Sequence, residues 1–135
     1  MSEITAHCFA DAVREGATLL RAKRARVAKI CENARWLTFS LTTGVPGARI
    51  CREIRLPVVN TAWDFYEIGE YLCARFPEAL AGGYYFDRSD GLRQWGFRSR
   101  GDFDVSALCK RYGGGGHAGA AGFQSAIGWL PETAA

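Results

Sequence analysis

The residues best suited to chemistry cluster late in the chain: Arg98, Ser99 and Arg100, then the unbroken run Gly113, Gly114, Gly115, Gly116 and His117. Consecutive glycines can aim successive backbone N–H groups at one point, and lacking side chains they admit an anion closely. A phosphate is the natural guest of such a nest. His117 is one of only two histidines in the chain, and it can give a hydrogen bond or a positive charge to the same oxygens. It can equally serve as a structural hydrogen bonder. Gly113 has a local explanation, because the residue after a helix commonly closes it in the left-handed conformation.

Those residues need elements to hold them. In "DVSALCKRY", residues 104–112, Val105, Leu108, Cys109 and Tyr112 recur at i, i+3, i+4 and i+7 behind Asp104 as N-cap, which predicts a short amphipathic helix before the glycines. Residues 79–100 predict a hairpin, with one strand through Tyr84, Tyr85 and Phe86, a turn at Arg88-Ser89-Asp90-Gly91, and a return strand from Leu92 to Ser99. Alternation sends Arg93, Trp95, Phe97 and Ser99 to one face and Gln94, Gly96, Arg98 and Arg100 to the other, so the two arginines share a face. A last short strand follows in "AAGFQSAIGWL". The glycine run therefore sits between a patterned helix and a strand, which argues against a flexible linker.

Earlier in the chain, residues 5–34 predict one long helix with Phe9, Val13, Leu20, Val27 and Cys31 along a narrow seam. Arg21, Lys23, Arg24, Arg26 and Lys29 spread around its circumference. They are expected to be solvated, on a connector helix, rather than to form a nucleic-acid patch. "RWLTFSLTTG" and "RICREIRLPVVN" predict two neighbouring strands across the turn Gly44-Val45-Pro46-Gly47. "TAWDFYEIGEYLCARFP" predicts a helix that packs on the sheet through Trp63, Tyr66, Ile68, Leu72 and Phe76, with Thr61 as cap and Pro77 as stop. The sum is an α/β fold: a mixed β-sheet of about five strands with helices packed on it, preceded by a long N-terminal connector helix over residues 1–34.

Composition narrows the class. With 135 residues, 48% hydrophobic and 23% charged, the chain reads as one globular domain able to bury a core. A net charge of +3 says little about partners. Met1–Ala17 carries acidic residues and no uninterrupted apolar stretch, so neither a signal peptide nor a membrane association is expected. The five cysteines, Cys8, Cys31, Cys51, Cys73 and Cys109, are scattered and form no CxxC pair, which predicts buried free thiols in a reducing cytoplasm. Gly114, Gly116 and Gly119 satisfy G-x-G-x-x-G, but they follow a helix and precede a strand, the reverse of the dinucleotide-binding context. No P-loop motif occurs.

The stretch "FRSRGDFDVSALCKRYGGGGHAGAAGF", residues 97–123, resembles the signature of the C-terminal, DHH-associated domain of the DHH phosphoesterases. That family includes oligoribonucleases, nucleotide bisphosphate phosphatases and cyclic-dinucleotide phosphodiesterases. "LLRAKRARV", "LPVVN" and "GGYYFD" stand upstream in the same order as in such proteins. The resemblance implies that residues 35–135 are a substrate-binding domain in which Arg98, Ser99, Gly114, Gly115, Gly116 and His117 hold the phosphate and base of a short nucleotide. Arg100 would add charge beside Arg98.

In that family an opposing domain carries the manganese ions and hydrolyses the substrate. This chain has no DHH triplet, so it is expected to hold no cofactor and no catalytic residue of its own. Asp102 and Asp104 read as turn and cap residues, and Asp87 and Asp90 as hairpin-turn residues. Cys109 and His117 lack two further ligands for zinc. Three functions stay open. The first is a binding module for a nucleotide or a short single-stranded nucleic acid, with Tyr84, Tyr85 and Trp95 as candidates to stack the base. The second is a fragment or subunit of a manganese-dependent phosphodiesterase whose metal-bearing DHH domain lies elsewhere. The third is a structural domain that forms a homodimer.

Overall fold

The computed structural model describes residues 3–131. In chain order the elements are α1 (Glu3–Cys31), β1 (Arg35–Thr43), β2 (Ile50–Asn60), α2 (Phe65–Arg75), β3 (Ala81–Asp87), β4 (Leu92–Ser99), α3 (Val105–Arg111), β5 (Gly115–Gly116) and β6 (Ala120–Ala126). The strands form one mixed sheet in the order β1-β2-β3-β4-β6-β5. Only β2 and β3 run parallel, and α2 is the crossover between them. The α/β architecture and long first helix are as expected, but there are six strands where about five were expected. The addition is β5, two residues of the glycine run itself, which have no side chains for an alternation pattern to register.

Each face of the sheet is covered differently. Leu37 and Phe39 of β1, Ile54 and Leu56 of β2, Trp95 and Phe97 of β4 and Phe123 of β6 form the larger core, closed by Val105, Leu108 and Cys109 of α3. On the other face, Ile68 and Leu72 of α2 pack with Val59, and Val27 and Cys31 of α1 lie in the same cluster. Helix α2 sits close on the sheet because Gly82 offers no side chain: a Cβ there would lie 2.8 Å from the Leu72 Cβ.

Three sequence expectations need correction. Thr61 does not cap α2; its hydroxyl accepts from the Trp63 N–H at 3.2 Å, and the cap residue is Asp64, in the left-handed region at φ 57°. Of the seam residues of α1, Val27 and Cys31 in the last turns are in the core, whereas Phe9 is 68% exposed. Of the five basic residues of α1, Arg21, Arg24, Arg26 and Lys29 are exposed as expected, but two of the five also hold α2: Lys23 pairs with Glu67 and Arg26 with Asp64.

Of the cysteines, Cys31 and Cys109 are buried as expected, but Cys8 and Cys51 are exposed, and all five are free. Asp104 caps α3 as the sequence predicts, accepting from the N–H groups of Ser106 and Ala107. Among the described residues, no helix is long and apolar enough to cross a membrane.

Candidate functional site

Strand register builds the site. Tyr84 pairs with Gly96, Gly96 with Gly122, and Gly122 with Gly115, so one row across β3, β4, β6 and β5 holds an aromatic ring followed by three glycines. Residues paired in this way point to the same face of a sheet. The adjacent row on that face is Gly82, Arg98 and Ala120. Their neighbours along the strands, Trp95, Phe97 and Phe123, fill the core on the α3 side. The result is a flat floor almost without side chains beside α2, forming a cleft of about 390 Å³ that is walled by Phe65, Tyr66 and Tyr84. The Tyr84 ring lies over Gly96, where a Cβ would come within 2.3 Å of it. Phe65 stacks on Tyr84 with centroids 4.1 Å apart and planes 12° from parallel.

Arg98 stands at the edge of this floor. Its stem runs beneath α2, where a Cβ on Gly69 would approach the Arg98 Cβ to 2.6 Å. Its guanidinium lies over the Tyr66 ring, 3.8 Å from the centroid. Among the described residues no carboxylate pairs with it, in contrast to Arg93, which donates to both Asp87 oxygens at 2.7 and 3.2 Å. A ring face holds the cation in place without consuming its in-plane N–H donors, so Arg98 keeps a fork able to grip an oxyanion. Arg98 also lines a second cleft with Tyr66, Gly69, Glu70, Cys73, Ser99 and Gly119, although Glu70 forms no ion pair with it. Burial pushes the Cys73 thiol up, with the nearby Arg100 and Arg98 charges acting in the opposite direction.

The Arg100 guanidinium is engaged by main-chain carbonyls. Its Nε donates to the Ala79 carbonyl at 2.8 Å and its Nη2 to the Phe76 carbonyl at 3.3 Å, so it ties the loop after α2 to the end of β4. Ser99 alternates to the opposite face, where its hydroxyl bonds the Phe103 carbonyl.

The glycine run is used differently from the nest read in the sequence. The N–H groups of Gly113, Gly114 and His117 already donate to the carbonyls of Lys110, Cys109 and Ala120. Gly113, at φ 87°, closes α3 as expected. Gly114 is required for close approach, since a Cβ there would lie 2.1 Å from the Gly122 carbonyl oxygen. Gly116 has φ 144° and would clash with Ala121. Gly115 is the exception: its φ lies outside the left-handed region and a Cβ would meet nothing within 4 Å. The fold does not need glycine there, yet Gly115 continues the open row from Gly122.

His117 is exposed and its backbone bonds Ala120 in both directions, making the turn from β5 to β6. Because Ala120 also pairs with Arg98, His117 stands roughly 10 Å from Arg98, two strand spacings away along one row. No group of three or more His, Cys, Asp or Glu able to hold a metal ion occurs among the described residues.

No family model matches the chain, and no curated protein is similar to it in sequence. Among solved structures it is similar to PggH, a pGpG-specific phosphodiesterase of Vibrio cholerae, with a TM-score of 0.53 and 18% identity over 85% of this chain and 37% of that one. The chain shares a fold with a phosphodiesterase. An uncharacterized protein from Helicobacter pylori G27 aligns with a TM-score of 0.43 and 19% identity, over 58% of this chain and 22% of that one. The chain thus spans well under two thirds of the length of either structure.

Proposed function

We propose that this chain is a nucleotide-binding module that grips the phosphate of a nucleotide or of the end of a short single-stranded oligonucleotide. The observation that carries this reading is an Arg98 guanidinium without a carboxylate partner among the described residues, fixed on Tyr66 beside a glycine floor. Arg98 grips a phosphate through paired N–H donors, and His117, roughly 10 Å away at the far end of the same row, donates to a separate group of the ligand. A base lies flat on the part of the lane formed by Gly122 and Gly115, with its edge toward the Tyr84 ring that covers Gly96. Of the three aromatic residues singled out for stacking, Tyr85 and Trp95 are buried in the core, and the half-buried Tyr84 is the one whose ring walls the cleft. The fold shared with a pGpG-specific phosphodiesterase and the resemblance of residues 97–123 to the DHH-associated domain support this reading.

The second reading extends the first. In a phosphoesterase assembled with a metal-bearing DHH domain, the same grip would hold the substrate for hydrolysis. The similarity to PggH over 37% of its length favours it. Without that domain the chain is expected not to hydrolyse phosphoesters.

Calorimetric titration of 3′,5′-bisphosphoadenosine tests the grip. Arg98→Ala is expected to weaken binding about tenfold or more, the scale of a lost charged hydrogen bond. Gly115→Val is expected to leave the melting temperature in place while weakening binding, because its side chain would rise into the lane. Equal affinity in all three proteins would refute the proposal.

A further inference from the structure

Four consecutive residues at the start of α2 serve two masters. Asp64 and Glu67, three apart and therefore on one side of the turn, face α1: Arg26 donates to Asp64 at 2.8 and 3.1 Å, and Lys23 pairs with Glu67 at 2.6 Å. Phe65 and Tyr66, between them, form the wall of the cleft, one stacked on Tyr84 and the other under Arg98. Asp64 is an unusual cap. An aspartate in this position ordinarily takes an extended backbone and accepts from the first helical N–H groups. Here the backbone is left-handed, the side chain makes no capping bond, and a carboxylate only 10% exposed is given to Arg26 instead. Below these pairs Val27 and Cys31 join α1 to the same cluster as Ile68 and Leu72, so the two helices meet as one packed unit.

We infer that Arg26 and Lys23, which line neither cleft at Arg98, are positioning residues for it: through Asp64 and Glu67 they fix the first turn of α2, and with it the Phe65 and Tyr66 rings and the seat of Arg98. The orientation of α1 and the affinity of the cleft are then coupled, and the coupling is reciprocal. A change in the setting of α1 against α2 changes the shape of the cleft.

The test uses the full chain with Arg26→Ala, Asp64→Gly and Arg26→Lys. Glycine at position 64 accepts the left-handed backbone, so that variant removes the carboxylate without new strain. The first readout needs no ligand: the Nε–H resonance of Arg98, which sits over the Tyr66 ring, is expected to move toward its free position in Arg26→Ala and Asp64→Gly, and to stay near the wild-type position in Arg26→Lys. The second readout rests on the nucleotide reading above: 3′,5′-bisphosphoadenosine is expected to bind about fivefold or more weakly to the first two variants. Unchanged Arg98 and Tyr66 resonances in both variants would overturn the inference even if stability falls. Resonances that move in a protein that binds no nucleotide would uphold the positioning role and refute the nucleotide reading.

Discussion

Arg98 owes its availability to its neighbours. Gly69 lets its stem pass beneath α2 and Tyr66 supports its head, so a methyl group at position 69 should act on the site from outside it. Gly69→Ala is expected to lift Arg98 off Tyr66 and weaken nucleotide binding, which a shifted Arg98 Nε–H resonance and calorimetry would check; unchanged values would show that Arg98 is not held there. The cysteines give a second check at this scale. Burial pushes Cys31 up to about 11 and Cys109 up to about 12, so neither presents a thiolate near neutral pH. An alkylating reagent is expected to label Cys8 and Cys51 in the native protein, and Cys31 and Cys109 only in denaturant, as read by mass spectrometry. Arg98 was legible in the sequence because alternation along β4 sets it apart from Trp95 and Phe97. Tyr66 and Phe65 were not legible as site residues, since their helical spacing marks them only as packing positions. That Arg100 is bound by the Ala79 and Phe76 carbonyls depends on a loop whose path no local pattern encodes.

At the scale of elements, the junction of α1 and α2 rests on carboxylates held below their ordinary range. The bond from Arg26 lowers Asp64, and the bond from Lys23 lowers Glu67. A carboxylate depressed by folding stabilises the protein above its unfolded value, and that contribution is lost as pH falls through the depressed folded value. The wild type is therefore expected to be more stable than Arg26→Ala at neutral pH, with the gap closing below about pH 4. Thermal unfolding across that range would check it; a gap independent of pH would show that the pair carries no coupling.

The same junction shows what sequence patterns miss. Thr61 looked like the cap because it is a good capping residue before a periodic run, but Asp64 is drawn by a partner 38 positions away in the chain. The helix α3 was legible down to its Asp104 cap, because both the periodicity and the cap are local. The glycine run was recognisable as special, though not how: capping and close strand contact account for glycine at 113, 114 and 116, and Gly115 is the one position of the run where the fold does not demand glycine.

For the whole molecule, the decisive arrangement is the position of β6 between β4 and β5, which lines up Tyr84, Gly96, Gly122 and Gly115 across four strands. The mixed α/β class was legible from the order of helical and alternating segments. The lane was not, because strand order and register are long-range properties that no single segment contains. The open lane lies on the face that α2 only partly covers, while α3 and the aromatic core hold the other face rigid. That lane, with Arg98 at its edge, is the proposed seat for a nucleotide. Its most direct test is a residue-by-residue NMR titration with 3′,5′-bisphosphoadenosine. Saturable shifts are expected at Tyr66, Arg98, Gly115, His117 and Gly122, disappearing in Arg98→Ala; an absence of shifts at millimolar ligand, or shifts that persist in that variant, would contradict a nucleotide seat there.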